Sequence, residues 1–169
     1  MENEKNVFME AKAMIVLIAG EFTAAFGYVG WLVLIWLISM VADYATGSWA
    51  AKANGEWSSA MARKGIFHKC GMIFVVGVAA LVDSMLAVAV GNIPGIGVEY
   101  TTAILPVVLV WYIITELGSI LENAVKMGAP VPSALKNALA IAKKSVESAS
   151  KLAGSLTGSE EERKGEEEE

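Results

Sequence analysis

The sequence predicts an all-α integral membrane protein with three transmembrane helices, an N-terminal amphipathic helix and a C-terminal cytoplasmic amphipathic helix. Three observations carry this: excess apolar composition, three long uncharged runs, and charge collected outside those runs. Of 169 residues, 55% are hydrophobic and 18% charged, against roughly 25% charged in an ordinary soluble domain. The last ten residues, Glu160 to Glu169, hold seven Glu against Arg163 and Lys164, a net of −5. The whole chain also sums to −5, so residues 1–159 are neutral and the acidity belongs to a tail. A nucleic-acid partner, which calls for a basic domain, is not expected.

A bilayer core of ~30 Å needs ~20 apolar residues as helix. Phe22 to Ala42 is 21 residues without a charge, Cys70 to Val98 is 29 with Asp83 alone, and Tyr100 to Leu121 is 22 with Glu116 alone. Backbone in lipid must bond internally, so each run is a helix. Trp31 and Trp49 are 18 residues apart, about 27 Å at helical rise, which suits two interfacial belts. The first span is therefore 27–48, the second 66–90 and the third 99–122, within a membrane domain of 27–128. Pro106 is expected to kink the third span. The turn formers of 91–97 separate the second from the third.

Residues 1–26 are expected to form a separate interfacial helix. Phe8, Ala11, Ile15, Ile18, Phe22 and Phe26 recur at helical spacing, while Glu10, Lys12 and Glu21 are polar. A tilted extension of the first span is the alternative. A cleavable signal peptide is not expected, because the apolar run is short and ends at Glu21.

Three spans place the N-terminus and the 91–98 turn on one side, with two cations, Lys5 and Lys12. Loop 49–65 and the C-terminal region, counted with Lys69, carry the other eleven. The positive-inside rule then puts the N-terminus outside and the C-terminus in the cytoplasm.

After Pro130 and Pro132, Ser133 can cap a helix over 129–158. Leu135, Leu139, Ala142, Val146, Ala149, Ala153 and Leu156 follow in steps of 4, 3, 4, 3, 4 and 3, a weak heptad seam. Self-association and attachment to anionic lipid through Lys136, Lys143, Lys144 and Lys151 both fit. The tail 159–169 is expected to be disordered.

One cysteine, Cys70, and one histidine, His68, leave no intrachain disulfide and no Cys/His zinc site. No catalytic, cofactor or metal residues are assigned. Four carboxylates lie in or near the bilayer: Asp43, Asp83, Glu116 and Glu122. A charge at a helix centre costs ~2.5–3.5 kcal/mol, so such groups face protein or water. Asp83 is 14 residues past Lys69, roughly 21 Å along a helix, with no cation at its depth. It should hydrogen-bond to another span, be protonated, or face a wet lumen, and asparagine there should preserve assembly. Asp43 and Glu122 suit the cytoplasmic edge, and Glu122 can pair with Lys126 at i+4. Glu116, Ser119 and Asn123 form a polar stripe able to bond across helices. Thr23/Gly27, Ala42/Thr46/Ala50 and Ala80/Ser84 permit close helix contact.

The order of motifs resembles the phage holin family that includes the clostridial toxin-secretion holins. Asp43, Thr46 and Gly47 match a D-x-x-T-G after the first span. Ser58-Ser59 with Arg63-Lys64-Gly65 and Lys69 match a loop of type S…K-G…K. Glu116 to Asn123, with Ser119 and Glu122, match an N-E-x-x-S-I-x-E-N segment, except that Thr115 replaces its first Asn. The resemblance covers about 26–135. It implies a non-enzymatic protein that oligomerises in the bacterial cytoplasmic membrane and opens lesions. These release an endolysin or a toxin, without direct binding of that partner; an antiholin is a further partner that fits. A small ion channel or transporter subunit, or an antiholin, remains the alternative from the residues alone.

Overall fold

The computed structural model describes residues 2–92 and 100–166, with side chains over 7–92, 100–149 and at 151. Four helices follow in order: α1 (Glu2–Ala53), α2 (Ser59–Gly91), α3 (Ile104–Lys126) and α4 (Ser133–Glu166). The first three are long and apolar enough to cross a bilayer, with mean hydropathies of 2.0, 2.5 and 2.0 over their best windows. Yet only 17% of the α2 window is buried. Phe67, Phe74, Leu81 and Val88 recur every seven residues on one face of α2 and are 65–75% exposed. Such a continuous apolar stripe needs a non-aqueous neighbour, so the fold is that of a multi-pass membrane protein.

A straight α1 of 52 residues would be about 78 Å long, more than twice a bilayer core. It is not straight. Gly27 leaves the helical region at φ 59°, ψ −160°, a conformation essentially confined to glycine. Side chains staple the break. The Trp31 indole N–H donates to Thr23 Oγ1 at 2.8 Å, and its ring meets Phe22 edge-on at 4.9 Å. Gly30 makes room: a Cβ there would lie 2.3 Å from Phe26 Cβ.

The helices extend beyond their apolar cores. The first connection is short, because α1 continues to Ala53 and α2 begins at Ser59. Lys64 and Gly65, expected in the loop before the second span, are therefore helical. Ser58 caps α2, its hydroxyl accepting from Met61 N–H at 3.2 Å. At the end of α3, Gly128 has φ 86° and Ala129 N–H bonds back to Ala124 at 3.0 Å, the left-handed stop that glycine supplies. α4 continues to Glu166, into the segment expected to be disordered; Glu160 and Lys164 there are good helix formers spaced i to i+4.

α3 is the central helix, packed on α1, α2 and α4, while α1 and α2 touch little. The shared core is small: Trp36 and Met40 of α1, Met72 of α2, and Leu109 and Ile113 of α3. Trp36 stacks on Tyr112 at 6.3 Å. Lipid tails are as apolar as these side chains, so burial drives helix association weakly here. Polar contacts then matter more.

Candidate functional site

Two polar sites tie the three helices together, one toward each end of the bundle. The inner site centres on Lys69 of α2. Its ammonium donates to Asp43 Oδ2 of α1 at 2.9 Å and to Glu116 Oε2 of α3 at 2.6 Å. The side chains of Lys69 and Glu116 are 15% and 4% exposed. The α3 residue Asn123 extends the network, its amide donating to Asp43 Oδ1 at 3.1 Å and to Thr46 Oγ1 at 3.3 Å. Thr46 passes its own proton back to Ala42 O at 2.9 Å.

Helical spacing explains why these residues meet. Asp43, Thr46 and Gly47 stand at i, i+3 and i+4 on α1, and Glu116 and Asn123 at i and i+7 on α3, so each set lies on one face. Gly47 sits directly under Asn123, where a Cβ would come 3.3 Å from the amide nitrogen. Gly65 faces the Tyr44 ring at ordinary contact distance. A cleft of about 390 Å³ opens beside the network. Ser119 and the exposed Glu122 and His68 line it with Lys126.

Lys69, partly buried, is thus the shared partner of two carboxylates on other helices, and not only one of the boundary cations with which it was counted. A lysine whose neighbours on the sequence are Phe67, His68 and Cys70 gives no local sign of this; the signal lay in the carboxylates, which needed a cation. Asp43, expected to anchor at the interface, is spent on the same pair. Glu122 and Lys126 form no ion pair, the ion pairs among the described residues being those of Lys69. Lys64 is exposed and outside the network.

The outer site centres on Asp83, which is buried and takes the first of its expected states, a hydrogen bond to another span. Its Oδ1 accepts from Ala103 N–H at 3.2 Å and Ile104 N–H at 3.1 Å, and Oδ2 from Leu105 N–H at 2.7 Å. The Tyr100 hydroxyl also donates to Oδ1. A helix leaves four N–H groups without partners at its start. For α3 these belong to Ala103, Ile104, Leu105 and residue 106, which is Pro106 and has none. One carboxylate on α2 therefore satisfies every orphan donor of α3. Pro106 sits in the first turn, where it is tolerated without a kink. On α1, Tyr28 donates to Thr102 O at 3.3 Å, so both neighbours hold the non-helical approach to α3. Sequence reading missed Tyr100 and Tyr28; Pro106 was the available sign that α3 starts near it.

The pairs of small residues divide. Thr46 and the buried Ala50 face the bundle, whereas the Ser84 hydroxyl turns back onto Ala80 O at 2.8 Å and lies exposed.

The residues tied by the inner network fall within a span of known relationship: the sequence model of the bacteriophage holin family matches residues 20–144. The chain belongs to the bacteriophage holin family. That family is one of non-enzymatic membrane proteins, and a holin-type role follows from membership. Several bacterial relatives share most of the chain. An uncharacterized protein of Halalkalibacterium halodurans is 37% identical, over 70% of this chain and 84% of its own. One of Listeria innocua is 39% identical, over 71% and 80%. An uncharacterized 14.9 kDa protein of Clostridium perfringens is 29% identical, over 80% and 94%. No solved structure matches.

Proposed function

We propose that this holin accumulates in the bacterial cytoplasmic membrane, assembles with copies of itself and opens lesions that release an endolysin or a toxin. The observation that carries the reading is a bundle with few buried apolar contacts, tied at two polar sites, within a chain of holin-family sequence. The 67-74-81-88 stripe of α2 is available to lipid or to a second copy. The released enzyme needs no binding site on this chain, since it passes through an opening. Asp43, Thr46, Gly47, Lys69, Glu116 and Asn123 keep the three helices together until assembly, and Asp83 sets where α3 begins. Lys64, Gly65, Ser119 and Glu122 belong to the same cytoplasmic end, where the cleft meets water.

The same reading has the N-terminus outside and the C-terminus in the cytoplasm. Residues 2–26 turn at Gly27 to lie along the outer interface, where the exposed Phe8, Ile15 and Ile18 meet the lipid boundary.

Induced expression tests the function directly. The cells would carry a cytoplasmic reporter of endolysin size and a muralytic enzyme without its own export signal. The expected result is a lag, then sudden loss of viability, escape of the reporter and lysis that depends on the enzyme. Depolarisation with the reporter retained would instead indicate a narrow ion channel. Membrane insertion with no effect at all would indicate an antiholin or structural role.

A further inference from the structure

The geometry points to an anionic phospholipid site between α3 and α4, next to the cleft of the inner network, with which it shares Glu122 and Lys126. α4 folds back along α3 as far as Trp111, and its seam residues Leu139, Ala142 and Val146 are partly buried. The heptad seam is thus partly occupied within the chain, at Leu139, Ala142 and Val146, while Leu135 and Ala149 stay exposed. The two helices do not close on each other. A groove of about 520 Å³ remains, lined by Gly118, Leu121 and Val125 of α3 and Leu139 of α4. Its floor is open at Gly118, where a Cβ would meet nothing within 4 Å.

The chemistry of the groove is graded along its length. Its mouth carries Lys126, in the last turn of α3, and Lys136, near the start of α4. Neither lysine forms an ion pair with a described carboxylate. From Lys126 the floor runs inward past Glu122, four residues back, to Gly118, eight residues back, or about 12 Å along the helix. Beyond it, Lys143 of α4 lies over the Trp111 ring at 5.1 Å. Cations at the membrane boundary and an apolar slot leading toward the bilayer centre match a lipid, with its phosphate between the lysines and one acyl chain over Gly118. An apolar second helix would fill the slot but leave the excess of two lysines over Glu122 unmatched, which favours the lipid. Glu122, about 6 Å inward of Lys126 along the helix, lines the same groove and brings the formal charge of its polar groups to +1, which suits a singly charged phosphodiester over a multiply charged headgroup.

This inference rests on the reading that α3 leaves the membrane at the cytoplasmic face, so the test separates the two. The full chain would be placed in nanodiscs of phosphatidylcholine with one-fifth phosphatidylglycerol, and the lipids retained on release would be counted by native mass spectrometry. Wild type should retain about one phosphatidylglycerol per chain. Lys126→Gln with Lys136→Gln should lower that retention at least tenfold, and Gly118→Leu should block the chain-binding slot with the same loss. Lys144→Gln, on α4 but outside the groove, should not change it; unchanged helix content by circular dichroism would show that each variant folds. Equal retention in the double variant and wild type would overturn the site, as would equal loss in Lys144→Gln. Displacement of the lipid by millimolar inorganic phosphate would reduce it to an anion site, and a dimer abolished by Gly118→Leu would assign the groove to a second copy. Orientation is read independently from a Cys at Ser155, which an impermeant reagent should not reach in intact cells. Labelling there with lipid retention intact would overturn the orientation and leave the site standing.

Discussion

Replacing Asp83 tests whether one side chain on α2 fixes the start of α3. Both carboxylate oxygens are used, and each accepts only; four donors converge on them, three from backbone N–H and one from Tyr100. Leucine removes all four acceptor contacts. Losing an ordinary N-cap costs about 1 kcal/mol, and an N–H buried without a partner costs about 1–3 kcal/mol. Water reaching the outer end can recover part of this, so Asp83→Leu is expected to destabilise the α3 start by about 3–5 kcal/mol. Asparagine should preserve assembly at some cost in stability. It can keep the Oδ1 contacts, but its NH2 then faces the Leu105 N–H, donor against donor, for a cost of about 1–3 kcal/mol. Hydrogen exchange in nanodiscs reads this at residues 103–105. The protection of those amides should fall by roughly a hundredfold or more with leucine and by about five- to a hundredfold with asparagine, at 1.4 kcal/mol per decade. The onset of lesion formation should shift in the same order. Unchanged protection at 103–105 in Asp83→Leu would refute the capping argument.

Lys69→Met leaves Asp43 and Glu116 facing each other without a cation; we expect a loss of about 3 kcal/mol in denaturant unfolding from micelles, the low end for breaking a buried pair because Asp43 is 21% exposed. Adding Glu116→Gln should recover part of that loss, and failure to do so would show that the lysine acts by packing alone. Gly27→Ala forbids the observed φ and should straighten α1, lengthening the distance between spin labels at residues 14 and 41; an unchanged distance would mean another residue makes the bend. Gly47→Val drives its side chain against Asn123, so assembly should weaken more than in Gly71→Val, where space is open. For topology, a Cys at Asn92 should react with an impermeant reagent in intact cells, and the reverse of the Asn92 and Ser155 pattern would overturn the orientation.

The three spans were legible because bilayer thickness imposes a length that composition alone reveals. The polar stripe Glu116, Ser119 and Asn123 was legible because helical spacing is fixed, although Ser119 turned out to border the cleft and not to enter the network. Lys69 was misread for a physical reason. A lysine just before an apolar run is ordinarily an interfacial cation, and only the placement of Asp43 and Glu116 on two other helices reverses that. Asp83 was flagged as needing a partner, but that partner is backbone, about twenty residues downstream, and backbone donors carry no sequence signature. The seam of α4 was visible as a period, yet a period does not say which surface it meets.

The position of the two polar sites bears on how such a bundle can hold together and still reassemble. In lipid, separating apolar helices exposes them to a solvent as apolar as themselves, so packing resists separation only weakly. Resistance comes from groups that lipid cannot satisfy: the ammonium of Lys69 between two carboxylates, and the α3 donors on Asp83. These sites differ in kind. The outer site joins α2 to α3 through backbone, and a donor set at a helix start finds another acceptor only if a neighbouring copy presents a carboxylate at that depth. The inner site joins side chains beside a cleft, where water or the Lys69 of a neighbouring copy can substitute for the internal partner. Exchange of partners at the inner site therefore costs little in contacts, whereas loss of the outer site strands backbone. Assembly should accordingly open the bundle from the Lys69 end while α2 and α3 stay joined at Asp83. A disulfide across the outer ends of α2 and α3 should leave lesion formation intact. A disulfide from α1 to α3 beside Asn123 should delay or abolish it, and the opposite pattern would show that the bundle opens at its outer end.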